Sequence, residues 1–475
     1  MAKFDSKLEA HAEVPVYRQI YLRFRHSIED GRLLPGERVP SVRALAAELN
    51  LARGTVESAY QLLVGEGYLQ TRGPAGTVVS TLLKPASLAD PVETTRLQRD
   101  PLMHSGALPQ PLQLGLPAMD VFPRKLWNRL VGKELRASGI HSLIYPDTQG
   151  HHALRTAVAG YLGISRGVRC TPDQLFICAG YGAALDLIFR SLLTKGDGCW
   201  FEDPGYLMAR HFLQKAGAEL TPIPVDDEGL NVDAGIRLAA NARFAVVTPS
   251  HQSPLGVSLS LPRRQALLEW ATRQNSWIIE DDYDSEYRYQ GHPLPALKSI
   301  DKHDRVLYTG TFSKVLAPGL RLSYLVVPEA LIARFTRVAD VMQNHSPYLF
   351  QATTAAFIRD GHFARHLKKM RSLYALRRTL LMTALERRLA GRIKIDSRPG
   401  GMHLLLRLGD DLDDQTIAMS ARELGLPVQP LSSAYQGAAP EKGLLVGFTN
   451  VSSPELAAQW VDRLAMAFPP QEDQG

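Results

Sequence analysis

The stretch GTFSKVLAPGLRLSY, Gly310 to Tyr324, sets Lys314 at the end of an apolar run, with Thr311 and Ser313 before it and Arg321 seven residues after it. Such a lysine can condense with an aldehyde to a Schiff base while the hydroxyls and the guanidinium hold a phosphate. This is the chemistry of a pyridoxal 5′-phosphate anchor, with Lys314 as the covalent, catalytic group. A lone lysine would read as a solvated surface charge, but the apolar, glycine-containing surroundings of Lys314 fit that reading poorly.

Three further groups of residues suit the same cofactor. WIIEDDYDSEY, Trp277 to Tyr287, brings carboxylates to the end of an apolar strand. A pyridine nitrogen stays protonated only beside an anion, so Asp281 is the choice for its partner, and Tyr283 falls where it can donate to the ring oxygen. Spacing alone leaves the register between Asp281 and Asp282 open. A small-residue turn, Ala179 to Ala184, follows the run Leu175 to Cys178 and opens a helix, so the amides around Gly182 and Ala183 can approach a phosphate. In EDPGY, Tyr206 can stack on a ring face, although a core tyrosine is the plain alternative. Cys170, Cys178 and Cys199 are odd in number and lack CxxC spacing, which argues against disulfides or a metal site and for buried small hydrophobes.

A second chemistry lies at the other end of the chain. Val16, Ile20, Phe24 and Ile28 recur every four residues, as on a helix face. Ser41 is placed to cap a helix whose stripe is Val42, Leu45, Ala46 and Leu49, and a third helix is expected from Arg53 to Val64. Tyr68 to Arg72, the turn Gly73 to Gly76, and Thr77 to Val79 read as a hairpin. This is a helix-turn-helix with a wing. Arg53 leads the helix that enters a major groove and can fork onto a guanine edge, and Arg43 points to the same region. Ser41 and Thr55 suit phosphates, and Arg72 with Gly76 in the wing reaches the neighbouring minor groove.

These units need a long chain. At 475 residues, 45% hydrophobic and 21% charged, two or three globular domains are expected. The net charge of +6 and pI near 9.1 permit a nucleic-acid partner, yet acidic and basic residues nearly cancel up to Ser80, so DNA binding rests on the motif. No run approaches twenty apolar residues and MAKFDSKLEAHAEV lacks a signal-peptide core, so the expected location is the cytoplasm, away from membranes. Five prolines between Leu82 and Pro111 mark a linker. The expected division is a DNA-binding domain over 1–80, a linker over 81–111 and an effector domain over 112–475. In the latter, short apolar runs alternate with helical segments, an α/β pattern with a mostly parallel sheet and a smaller α+β lobe after Pro328.

The segment VPSVRALAAELNLARGTVESAYQLLVGEGYL resembles the DNA-binding domain of the GntR superfamily. TPSHQSPLG, IIEDDYDSEYRY, PLPAL and GTFSKVLAPGLRLSYLVVP behind that head resemble the MocR family, and through it fold-type I aminotransferases. The resemblance implies a seven-stranded, mostly parallel sheet and a head-to-tail homodimer in which Tyr145 of YPDTQG reaches the partner's cofactor phosphate and Tyr206 lies over the ring. It also implies operator DNA and a small-molecule effector as partners. Departures from the pattern narrow the chemistry. Ser253 stands where aminotransferases place an asparagine, Leu445 where they place the arginine for a substrate carboxylate, and Met208 where GABA sensing draws on another arginine, with Arg210 off register. In the head, Ala52 and Gly54 replace a common serine and asparagine, which leaves operator sequence open. The expected function is transcription regulation that senses pyridoxal phosphate, or a small amino compound, through Lys314. The alternative is an aminotransferase carrying a fused DNA-binding domain.

Overall fold

The computed structural model describes residues 14–82, 109–291, 294–342, 346–396, 398–437 and 440–470. These fall into two compact units, one within Met1–Ser105 and one within Gly106–Gly475. Most of the expected linker, including Pro85, Pro91 and Pro101, lies outside the described residues, as does Pro293 of PLPAL.

The first unit comprises α1 (Val16–Glu29), α2 (Val42–Glu48), α3 (Arg53–Gly65), β1 (Leu69–Thr71) and β2 (Thr77–Val79). Ile20, Phe24, Leu45, Val56 and Leu63 bury one face of each helix in a common core, which Leu69 and Val79 of the antiparallel hairpin close. Ser41 caps α2 by accepting from the Ala44 N–H at 3.2 Å. Four residues separate α2 from α3, as a helix-turn-helix requires. The hairpin differs from expectation in detail, since a short 3-10 turn, Gly73–Ala75, carries the chain between its strands.

The second unit contains α4 (Arg124–Ala137), α5 (His152–Arg166), β3 (Leu175–Cys178), α6 (Tyr181–Leu192), β4 (Gly198–Asp203), α7 (Leu207–Lys215), β5 (Glu219–Asp226), β6 (Gly229–Leu230), α8 (Val232–Ala239), β7 (Phe244–Val247), α9 (Leu261–Gln274), β8 (Trp277–Asp282), β9 (Val306–Thr311), β10 (Ser323–Val326), α10 (Ile332–Met342), α11 (Tyr348–Arg359) and α12 (His362–Arg388). Its smaller lobe adds β11 (Ile393–Asp396), β12 (His403–Leu408), α13 (Asp414–Glu423), β13 (Gln429–Pro430), β14 (Gly443–Gly447) and α14 (Pro454–Met466). The main sheet runs β3-β10-β9-β8-β7-β4-β5-β6, and the small antiparallel sheet β11-β12-β14-β13. Strands β5, β4, β7, β8 and β9 are parallel, whereas β10 is antiparallel to both β3 and β9.

Seven strands were expected in the main sheet and eight are present. The extra one, β6, is a two-residue return that pairs antiparallel with the end of β5, too short to leave a hydrophobic pattern. Strands β3 and β7 are buried along their whole length, because helices cover both faces of a parallel sheet and make every position apolar. Cys178 and Cys199 are buried as expected, but Cys170, in the turn after α5, is only half-buried.

Candidate cofactor site and DNA-reading face

Sheet register assembles the site. Ser323 at the start of β10 lies opposite Cys178 at the end of β3 and Thr311 at the end of β9, while Asp282 lies opposite Gly310. One edge of the sheet therefore gathers the turn into α6, the loop holding Lys314, Arg321 and the carboxylates of β8. Ligands of open α/β sheets bind at such carboxyl ends.

At one end of this row, Gly180 precedes α6 with φ +97°. A Cβ there would stand 2.6 Å from the Arg321 guanidinium, which donates to the Ala179 carbonyl at 2.8 Å, so only glycine lets the arginine lie across the helix start. Arg321 itself holds φ +51°. Among the described residues the amides of Tyr181 and Gly182 make no hydrogen bond, while that of Ala183 donates back to the Gly180 carbonyl. The open donors of the turn are thus Tyr181 and Gly182, one residue earlier than the pair singled out from sequence. Thr311 accepts from the Ser313 amide at 3.1 Å, which folds the loop before Lys314.

Lys314 lies three residues beyond β9, half-buried, with Nζ donating to the Gly115 carbonyl at 2.7 Å. Burial pushes its ammonium below the usual lysine range, against the pull of Asp284 and Asp281. A lysine held toward its neutral form is a nucleophile.

The two candidate carboxylates differ in their surroundings. Asp282 is locked by Arg166 at 2.7 Å and by the Tyr308 hydroxyl at 2.5 Å. Asp281 has no ion pair among the described residues, and burial, with the nearby charges of Asp282, Glu202 and Asp284, pushes it up to about 8. Its field reaches Lys314, Tyr181 and Tyr206. The buried Tyr181 hydroxyl faces this carboxylate and, as a donor to it, pulls its pKa the other way.

Tyr206 stands at the start of α7, 39% exposed, its ring centroid 6.4 Å from that of Tyr181. The Tyr283 hydroxyl meets His251 Nδ1 at 3.0 Å, and Ser253 lies beside it. His251 also contacts Asp284 at 3.1 Å. Tyr145 stands apart from this cluster, 89% exposed. Arg210 is tied to the carbonyls of Ser433, Ala434 and Tyr435, so it is not free to take the role of the arginines absent at Met208 and Leu445.

The residues fit pyridoxal phosphate. A glycine cradle with an arginine, a half-buried lysine and a desolvated carboxylate lacking a counter-ion match its phosphate, aldehyde and ring nitrogen in that order. Sequence reasoning missed Tyr181, His251 and Gly115. Tyr181 was visible inside the AGYG turn, whereas the other two meet the site only through folding.

In the head, Arg43, Arg53 and Arg72 are exposed and Thr55 is half-buried. No side chain caps α3, so its leading amides face outward beside Arg53. Gly76 takes φ +89°, and a Cβ there would stand 2.9 Å from Arg38 Nε. Arg38, exposed and bridged through its backbone to Val78, thus lies across the root of the wing, and it too was missed from sequence.

A winged helix-turn-helix ahead of an aminotransferase fold defines the class: a helix-turn-helix regulator built on an aminotransferase-like domain. Residues 16–79 match the gntR family of bacterial regulatory proteins and residues 124–443 match aminotransferase class I and II. The chain is 37% identical to the probable rhizopine catabolism regulatory protein MocR of Rhizobium meliloti, over 98% of this chain and 97% of that one. It is 31% identical to the HTH-type pyridoxine biosynthesis transcriptional regulator PdxR of Corynebacterium glutamicum, over 97% of each. The structure of Pyrococcus horikoshii kynurenine aminotransferase, solved in complex with PMP, superposes with a TM-score of 0.69 at 28% identity, over 75% of this chain and 89% of that one. The chain belongs to the MocR-type transcriptional regulators, which join a GntR DNA-binding domain to an aminotransferase class I and II domain. No helix among the described residues is long and apolar enough to cross a membrane.

Proposed function

We propose that this protein regulates transcription in response to pyridoxal phosphate, or to a small amino compound that reacts with it, at Lys314. The observation that carries the reading is the half-buried Lys314 amine, held below its usual pKa between a phosphate cradle and the uncompensated Asp281. Bound there, pyridoxal phosphate supplies an electrophilic carbon that amines attack. The chain's own residues do the rest. The Tyr181 and Gly182 amides, Thr311, Ser313 and Arg321 would hold the phosphate, Asp281 the ring nitrogen, Tyr283 and Ser253 the ring oxygen, and Tyr206 one ring face.

The absence of a free arginine at Met208, Arg210 or Leu445 favours sensing over transamination, because a charge-assisted bond worth about 1.5–3 kcal/mol to an amino-acid carboxylate is missing. Ligand exchange at Lys314 would shift a two-state equilibrium of the effector domain. Its readers are the winged heads of residues 1–80, joined through the linker 81–111 to the effector domain 112–475. Ser41, Arg43, Arg53, Thr55, Arg72 and Gly76 would face operator DNA. A head-to-tail homodimer would bring Tyr145 to the partner's cofactor phosphate, and the exposed run Ile140, Leu143, Ile144 beside it is apolar, as a subunit contact needs.

The test is optical. Full-length protein incubated with pyridoxal phosphate should gain a visible absorbance band that Lys314→Ala lacks while keeping the wild-type melting temperature. An unchanged spectrum in Lys314→Ala overturns the assignment, and sustained amino transfer from amino acids to 2-oxoglutarate would favour the enzyme reading.

A further inference from the structure

A cavity of about 530 Å3 opens where the start of α4 meets α11 and the start of α12, in a part of the effector domain that the cofactor site does not use. This size is that of a small-molecule pocket. Its walls include Phe122, Leu126 and Phe357, and its polar lining is cationic: Arg124, Lys125, His362, Arg365, His366 and Lys369. No carboxylate among the described residues lines it. The side chains of Arg124, Lys125 and Lys369 make no hydrogen bond or ion pair among the described residues, and that of Arg365 reaches only His362 Nδ1 at 2.8 Å and the Asp360 carbonyl at 3.2 Å. Two carboxylates next to it in the chain are already paired, Asp360 with Arg359 and Asp120 with Arg377.

Four permanent cations around one concavity repel each other unless an anion joins them. Two of them are guanidiniums, whose planar forks match phosphate oxygens. The apolar walls of Phe122, Leu126 and Phe357 call for more than a bare ion. His366 forms part of the lining and contacts the Val315 carbonyl at 3.0 Å, so the cavity shares a hydrogen bond with the loop that follows Lys314.

We propose that this cavity binds a small organic phosphate with an apolar body. The site is separate from the cradle at Gly180, and the inference stands whether or not Lys314 holds a cofactor.

Calorimetric titration of the full-length protein with phenyl phosphate tests it. The expected result is one binding event that Arg321→Ala preserves and that Arg124→Glu with Lys369→Glu weakens by about tenfold or more. The single exposed change Lys369→Gln should weaken it in the same direction, which keeps the test decisive if the double variant misfolds. Loss of binding in Arg321→Ala but not in the charge-reversed protein would move the phosphate to the cofactor cradle and overturn the proposal. Inorganic phosphate or benzoate binding as tightly as phenyl phosphate would overturn the apolar body or the phosphate head. Displacement of phenyl phosphate by a random-sequence DNA duplex would mark the cavity as a nucleic-acid surface instead.

Discussion

Asp281 and Asp282 sit side by side on β8, and the strand's two-residue period sends them to opposite faces of the sheet. Asp282 meets Arg166 and Tyr308, so Asp282→Asn should cost about 3–5 kcal/mol by leaving Arg166 buried without its partner, visible as a lower melting temperature. Asp281 has no ion-pair partner among the described residues, so Asp281→Asn should instead weaken pyridoxal phosphate binding and leave the cofactor-free protein as stable or more so. The pH dependence follows in sign. With Asp281 pushed from 3.8 up to about 8, the folded state holds a proton that the unfolded state has lost, so stability falls as pH rises between those values. Glu202, Glu280 and Glu286, each raised by burial to about 7, act in the same direction. Asp281→Asn should therefore flatten the slope of melting temperature against pH without abolishing it, and an unchanged slope would contradict the assignment. The sequence located this pair but could not choose within it. Alternation says that neighbours face apart, and only the folded Arg166, carried in on α5, marks which face is already occupied.

Elements position what single residues cannot. The start of α6 presents open amides because Gly180 adopts φ +97° and leaves room for Arg321, so Gly180→Ala should displace the guanidinium and lower cofactor affinity while the sheet stays intact. Titration of the visible band measures it, and wild-type affinity would show that the cradle holds no phosphate. In the head, Arg53→Ala should cost about 1–3 kcal/mol at the operator and relax one base position, whereas Arg38→Ala at the wing root should weaken all duplexes alike. Selection of binding sites from random DNA separates the two outcomes. Most elements were legible where apolar residues ran unbroken, as in β3 and β7, or kept a helical period, as in α3. β5 was not, because Pro222 and Pro224 interrupt ELTPIPVD, and such prolines are tolerated near a sheet edge, where β5 has only the short β6 outside it. Arg38 escaped because its contact with Gly76 is made across the fold, with no local pattern to announce it.

The whole molecule joins two compact units whose chemistries are unlike, a DNA-reading head and a lysine site on an aminotransferase scaffold. Both were readable from sequence because each rests on a local run of residues, Val39 to Leu69 in one and Gly310 to Tyr324 in the other. The basic cavity at α4 and α12 was not, since Arg124 and Lys369 lie more than two hundred residues apart in the chain. Coupling between the units requires that the ligand at Lys314 favour one DNA-binding state, and allosteric couplings commonly amount to about 1–3 kcal/mol. The decisive measurement is operator affinity of the full-length protein with and without saturating pyridoxal phosphate, in wild type and in Lys314→Ala. A shift of roughly 5- to 150-fold in wild type that vanishes in the variant is the expected result. Equal affinity in wild type under both conditions, or a shift that survives without the lysine, would contradict the account.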